Sequence, residues 1–310
     1  MRSIVALPEC SPGPVRDQEV EPARVAGRRV RASLRLDFEC EKGSNKTLLA
    51  SSQQEPPLRV VRAFSAENGS ALVHLHNLSG GVLGGDALAL GVKVGAGAQV
   101  QITTTGATRL YRPRDHAAAA TQLNEVQVGE NALLEYVPDP VIPYAGARFR
   151  QHTAIKMAAG ASLFWWEIIA PGREARNEMF EYQSLEFKTN LWAVDRSILV
   201  ERVLLEPGIR PVTSCARLES YRTWASFYIC RAGLSAADWL VAEQTVRSLL
   251  QQLSKPMGAL WSVSTLPAHG LVVRCTAVRG RDVLSGLHRV WHTAKMHLHG
   301  RPALAPRKVN

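Results

Sequence analysis

Gly80, Gly81, Gly84 and Gly85 fall within six positions of the run Gly80-Gly81-Val82-Leu83-Gly84-Gly85-Asp86. Glycine at this density marks backbone that bends through conformations closed to residues with a Cβ. The stretch after Asp86 narrows the fold. Leu88, Leu90, Val92 and Val94 alternate with small or polar residues, the period of a half-buried strand. A Walker loop would end in Gly-Lys-Ser/Thr and launch a helix, and a dinucleotide fingerprint also opens a helix. Neither follows here, so the glycines read as tight turns in a β structure. After a G-A-G-A turn come Val100, Ile102 and the run Thr103-Thr104-Thr105-Gly106-Ala107-Thr108-Arg109-Leu110-Tyr111-Arg112.

The β reading extends along the chain. Residues 30–38 alternate, and 47–50, 58–64 and 71–75 are further short strands, separated by the turn sequences G-S-N, Q-E-P-P and E-N-G-S. An approximate repeat occupies the middle: Val94-Gly-Ala-Gly-Ala98, Val128-Gly-Glu-Asn-Ala132 and Met157-Ala-Ala-Gly-Ala161. In each, an apolar residue ends a strand, a type that tolerates positive φ stands fourth, and alanine starts the next strand. Such a repeat predicts stacked, solenoid-like β layers. It also predicts that the loops at 103–114, 135–146 and 167–178 gather on one side. Strands follow at 183–206 and 221–229. The period then changes: Ser235 and Asp238 form a capping-box start before Leu240, Val241, Val246, Leu249, Leu250 and Leu253 at helical spacing. Strands at 261–265 and 271–277 precede a second amphipathic helix on Val283, Leu284, Leu287, Val290, Trp291, Ala294 and Leu298, stopped by Gly300 and Pro302. The expected class is therefore mainly β with two C-terminal α-helices.

At 310 residues and 46% hydrophobic content, the chain can bury a large core. Pro8, Pro12, Pro14 and Pro22 mark residues 1–25 as a flexible extension, leaving 26–310 as one β domain that includes the late helices. No apolar run is long enough to span a bilayer, and Pro8 interrupts any signal-peptide apolar region. Cys10, Cys40, Cys215, Cys230 and Cys275 are odd in number and scattered, which suits a reducing cytoplasm and neither a disulfide framework nor a zinc site. The formal charge of +10 is dispersed among acids without a long basic run. An acidic protein partner therefore fits better than nucleic acid.

Four of the nine histidines, His288, His292, His297 and His299, lie in the last helix. His288 and His292 are one turn apart, as in a metal site, but no nearby acid or cysteine completes one, and surface or capping roles fit better. The three threonines are explained by β propensity, and no nucleophile elbow is present for a hydrolase. The carboxylates say more. Glu135, Asp139, Glu167, Glu174 and Glu178 stand at the ends of apolar strands, where an ionised acid must be paired, hydrated or holding a cation. Arg148, Arg173 and Arg176 are the candidate salt-bridge partners, and both readings stay open on chemistry alone.

The glycine run and the threonine run together resemble the G-G-x-x-G-G-D and T-T-x-G-A-T-[KR]-x-Y-R pair of the UreD family of urease accessory proteins, called UreH in some bacteria. Residues 134–144, L-E-Y-V-P-D-P-V-I-P-Y, are similar to the family's L-E-[WY]-x-P-[DQ]-x-x-I-x-[FY]. Trp166-Glu167-Ile168 with Gly172-Arg173 and Glu178-Met179-Phe180 resembles its W-E-x-x-x-x-G-R-x-x-x-x-E-x-F segment. Residues 266–274 resemble L-P-x-x-G-L-x-x-R, and Gly300-Arg301-Pro302 with Pro306-Arg307-Lys308 resembles the usual ending. The chain departs at Leu78-Ser79, where prolines are common, at Asn177, where glycine often precedes the glutamate, and at Val309-Asn310, where an aromatic is frequent. The resemblance implies a scaffold that performs no reaction of its own and joins UreF and the GTPase UreG on apo-urease. It implies no tightly bound cofactor but transient nickel(II), with Glu135, Asp139 and Glu167 lining its path. It makes Gly80, Gly81, Gly84, Gly85, Asp86, Thr104, Gly106, Arg109, Tyr111, Arg112, Arg173 and Glu178 structural or partner-binding residues.

Overall fold

Strand alternation and turn chemistry translate directly into elements in the computed structural model, which describes residues 30–66, 68–114 and 118–306. The extension expected over 1–25, and the motif residues Arg307 and Lys308 with Val309-Asn310, lie outside the described residues. The chain begins with β1 (Arg31–Cys40), β2 (Thr47–Gln54), β3 (Leu58–Arg59), β4 (Ala63–Ser65), β5 (Ala71–Asn77) and β6 (Ala87–Val94). It continues through β7 (Gln99–Thr104), β8 (Thr108–Leu110), β9 (Ala120–Val128), β10 (Leu133–Tyr136), β11 (Val141–Pro143), β12 (Arg148–Met157) and β13 (Ser162–Ile169). β14 (Ser184–Ala193), β15 (Arg196–Leu205), β16 (Thr223–Arg231), α1 (Ala236–Leu253), β17 (Ala259–Thr265), β18 (Gly270–Ala277) and α2 (Gly280–His299) complete it. The expected class, mainly β with two late helices, is what the structure shows.

Two sheets form. The first has the order β15-β14-β12-β9-β6-β1-β2, and the second β17-β18-β16-β13-β10-β7-β5-β3, with β4, β8 and β11 attached beside it. From β6 to β14 the chain passes between them, adding each strand parallel to its neighbour: β6, β9, β12 and β14 in the first sheet, β7, β10 and β13 in the second. The repeated turns make three of these crossings. Gly97, Asn131 and Gly160 take φ of 69°, 54° and 67°, as the fourth position of the plan requires. The turns also stack: the Gly97 amide donates to the Glu130 carbonyl at 2.8 Å and the Asn131 amide to the Ala159 carbonyl at 3.0 Å. Antiparallel pairs complete both sheets at their edges.

Three apolar clusters hold the layers. Leu36, Phe38, Val92, Ile102, Leu134 and Trp165 belong to the core between the sheets, where Tyr136 stacks on Trp165 with ring centroids 3.9 Å apart. The other face of the second sheet packs Phe164, Trp166 and Phe227 against Trp239 and Val246 of α1 and Leu287 and Trp291 of α2. Leu88, Leu110, Phe149, Ile169 and Leu185 form the third cluster, below the glycine loop. Each such side chain contributes about 1.5–3 kcal/mol when fully buried.

The start of α1 and the end of α2 follow their sequences. Ser235 caps α1 in a reciprocal capping box with Asp238, and Gly300 closes α2 at φ 64°. The buried stripe of α1 is Trp239, Ala242, Val246 and Leu250, whereas Leu240 and Val241 are exposed. At about 100° per residue they lie off the stripe. The strand expected over 58–64 is broken between β3 and β4, where the Val60 amide bonds the Gln54 side chain at 2.9 Å instead of a ladder partner. Cys40, Cys215, Cys230 and Cys275 are free thiols. Among the described residues no helix is long and apolar enough to cross a membrane.

Candidate functional site

The three loops do gather. The Val82 amide donates to the Arg109 carbonyl and the Tyr111 amide to the Val82 carbonyl, both at 2.8 Å. The Thr108 amide reaches the Pro140 carbonyl at 3.0 Å, the Tyr144 amide the Leu110 carbonyl at 2.9 Å, and the Ala170 amide the Val141 carbonyl at 2.9 Å. Motif side chains form a connected row across this end. Tyr111 Oη and Arg109 Nη1 donate to the Gly80 carbonyl at 3.3 and 3.5 Å. Tyr111 meets Tyr144 edge-on at 4.9 Å, and the Arg173 guanidinium lies 4.2 Å above the Tyr144 ring. Arg173 then binds Glu178 through both carboxylate oxygens, with Nε to Oε2 at 2.7 Å, and Glu178 also accepts from the Ala145 amide at 3.3 Å. Hydrogen bonds from Arg173 hold the Glu178 carboxyl below its ordinary range. Asn177 takes φ 57°, so it adopts the left-handed turn for which glycine is common.

Within the glycine loop, the Asp86 carboxylate is buried and accepts from the Leu83 amide at 2.9 Å, which closes the turn. Gly85 sits at φ 91°. Gly84 has ordinary φ but passes so close to Pro113 that an added Cβ would overlap its ring and backbone. Gly81 lies as tightly beneath Tyr111, and Arg112 lies beside Gly146 of the second loop. Gly106 faces open space. Gly84→Val and Gly85→Val should therefore each destabilise the fold by about 1–3 kcal/mol, through overlap and backbone strain respectively. Gly106→Ala should stay within about 0.5 kcal/mol. Thermal melting checks this, and a wild-type melting temperature in Gly84→Val would show that the close approach is not required.

The acids divide between two faces of one sheet. In β10, Leu133 and Glu135 face the helices while Leu134 and Tyr136 face the first sheet. Glu135 Oε2 accepts from Lys295 Nζ at 2.8 Å and Oε1 from Trp291 Nε1 at 2.7 Å, with the charged side chains only 5% and 3% exposed. The partner is thus Lys295 of α2, and not Arg148, Arg173 or Arg176 as expected from proximity in sequence. Glu174 lies 3.6 Å from Arg222. Parallel register aligns Glu135 with Phe164, so Glu167, three residues further on, points the opposite way, into the space between the sheets. There Gln151 Nε2 donates to Glu167 Oε1 at 2.6 Å. Burial, and then the nearby Glu201 carboxylate, push the Glu167 carboxyl up to about 7. Asp139 joins Thr104: its amide donates to Thr104 Oγ1 at 2.9 Å, and that hydroxyl donates to Asp139 Oδ2 at 3.2 Å.

Glu167 belongs to a buried polar layer. Asn124, Thr153, Thr189 and Glu201 occupy neighbouring register positions on β9, β12, β14 and β15. Asn124 Nδ2 donates to Thr153 Oγ1 at 3.0 Å. From the second sheet, Ser226 Oγ reaches Glu201 Oε1 at 3.3 Å and Arg274 Nη2 reaches Oε2 at 2.9 Å. The Arg274 side chain is 49% exposed, so the layer meets solvent there. At the other end Gln122 donates to Asn124 at 2.9 Å. Gln122 and Tyr136 line a cavity of about 270 Å³ that also touches Gly80, Gly81, Thr104 and Arg109. Sequence reasoning passed over Asn124, Thr153, Thr189 and Glu201. Their signal is one polar residue at an inward position of an otherwise apolar strand, a placement that costs free energy unless bonded. Among the described residues no group of three or more His, Cys, Asp or Glu side chains is placed to hold a metal ion.

What the shared motifs build is a frame in which loops brace one another, and the class it matches is an accessory protein rather than an enzyme. A profile described as UreD urease accessory protein matches residues 30–310. The chain is 39% identical over 281 residues to urease accessory protein UreD of Herpetosiphon aurantiacus, covering 91% of this chain and 97% of that protein. It is 27% identical over 257 residues to urease accessory protein UreD of Sporosarcina pasteurii, covering 82% and 97%. The chain belongs to the UreD family of urease accessory proteins.

Proposed function

We propose that this chain forms a complex with UreF and the GTPase UreG on apo-urease and helps route nickel(II), as cargo, into the urease active site. One observation carries the nickel reading: a buried carboxylate, Glu167, sits in a polar layer that runs from solvent at Arg274 toward the cavity beneath the glycine loop. Oxygen and amide groups hold nickel(II) weakly enough to release it, whereas thiolates would hold it too well. Asp139 stands at the cavity wall through Thr104. Glu135 faces the helices and is already neutralised by Lys295, so the path runs through Glu167 and Asp139 and leaves Glu135 to hold α2. A cation entering beside Glu167 displaces its proton, so transfer should quicken as pH rises through about 7.

Glu167→Gln and Asp139→Asn should still pull down UreF and apo-urease, because protein partners bind over a far larger surface. Urease matured with them should contain less nickel and be less active, with part of the activity restored by excess nickel. Full urease activity at limiting nickel in the double variant would end the proposal.

A further inference from the structure

His74 and His76 are alternate residues of β5, so their imidazoles leave the second sheet on the same face. Val73, between them, is buried in the core between the sheets, and Leu75 packs on that core. The histidines face an open cavity of about 1080 Å³ whose floor includes Phe64 and Leu72. The C-terminal segment makes its far wall. Gln101 Nε2 donates to the Leu304 carbonyl at 2.8 Å, and Leu304, Ala305 and Pro306 line the same space. Phe64 meets the His74 ring edge-on at 5.9 Å.

We propose that His74 and His76 form a surface site for a divalent transition-metal ion, with nickel(II) as the ion if the delivery reading above holds. Two imidazoles on alternate residues of one strand supply nitrogen ligands of the kind that nickel, cobalt and zinc prefer, and water completes the shell. Arg62 lines the cavity as well, its guanidinium 4.4 Å above the Phe64 ring. That positive charge and the count of two protein ligands make the site weak, which suits an ion that is to be passed on. His76 also lines the cavity of about 270 Å³ beneath the glycine loop. It therefore borders both the outer cavity and the cavity that Gln122 of the polar layer lines.

Nickel(II) chloride titrated into the full-length chain, with its histidines labelled with ¹⁵N, should broaden the His74 and His76 signals before those of the other histidines. By calorimetry, His74→Asn/His76→Asn should bind nickel at least tenfold more weakly than wild type at an unchanged melting temperature. Equal affinity and stoichiometry in that variant, or a loss seen instead in His288→Asn/His292→Asn, would overturn the site. First broadening at any other histidine would do the same, and this measurement needs no substitution, so a variant that fails to fold leaves the test intact. Nickel bound at His74 and His76, together with normal urease loading by Glu167→Gln/Asp139→Asn, would support the site while overturning the delivery reading.

Discussion

Lys295→Met should destabilise the fold by about 3–5 kcal/mol, more than either substitution in the glycine loop. The substitution keeps the volume of the side chain but strands Glu135 in the cluster between the second sheet and the helices. Its carboxylate would keep the bond from Trp291 Nε1 and lose Lys295, its charged partner. Urea unfolding followed by circular dichroism gives the measurement. Glu135→Gln added to Lys295→Met should recover more than half of the loss, since the glutamine carbonyl can still accept from Trp291 and no buried charge is left. A Lys295→Met protein as stable as wild type would mean that Glu135 finds water or a proton in that cluster and that the pair does not fasten α2.

The second large effect is a dependence on pH. Glu167 has an ordinary value of 4.5 and is raised to about 7 in the folded protein, first by burial and then by Glu201. An acid raised on folding favours the folded state at low pH. Its contribution is fully present below about 4.5, declines as pH rises, and is gone above about 7. At 1.36 kcal/mol per unit the difference across that window is about 3 kcal/mol. Glu167→Gln should therefore leave stability near pH 4.5 little changed and raise it by up to about 3 kcal/mol at pH 8, with the Gln151 bond retained through the new amide oxygen. Unfolding free energies at pH 5, 6, 7 and 8 test this. A loss of stability at pH 8 would mean that the ionised carboxylate is held by a cation, the opposite of what its neighbours imply. The same variant distinguishes transport from structure, because a more stable protein that delivers less nickel cannot owe the deficit to unfolding.

Much of the architecture was legible because it is written in short-range chemistry. Alternation in β1 and β6, the Ser235–Asp238 capping box, and the positive φ of Gly97, Asn131 and Gly160 depend on a residue and its neighbours within a few positions. Arg173 was one of three candidate partners for five acids, and the structure pairs it with Glu178, five residues away on one tight turn. The gathering of the three loops was also readable, since equal turns at near-equal spacing bring successive loops to the same end. The interruption between β3 and β4 was not, because it depends on a side chain of β2 capturing the Val60 amide.

For this protein the sequence by itself determined the element types, the turn geometry, the end at which the motif loops meet and, through its ordered motifs, the UreD family. Only the tertiary structure decided which acids share a space. Glu135 and Glu167 each stand within an apolar strand and look equivalent in sequence. Their opposite directions depend on the register that sets Glu135 beside Phe164. The partner of Glu135 lies 160 residues away on α2, and the polar row of Asn124, Thr153, Thr189 and Glu201 exists only once four strands are aligned. Local periodicity tells a strand which residues alternate. Which face becomes interior, and what is found there, is set by hydrogen-bond register between distant strands and by the layer that packs against them.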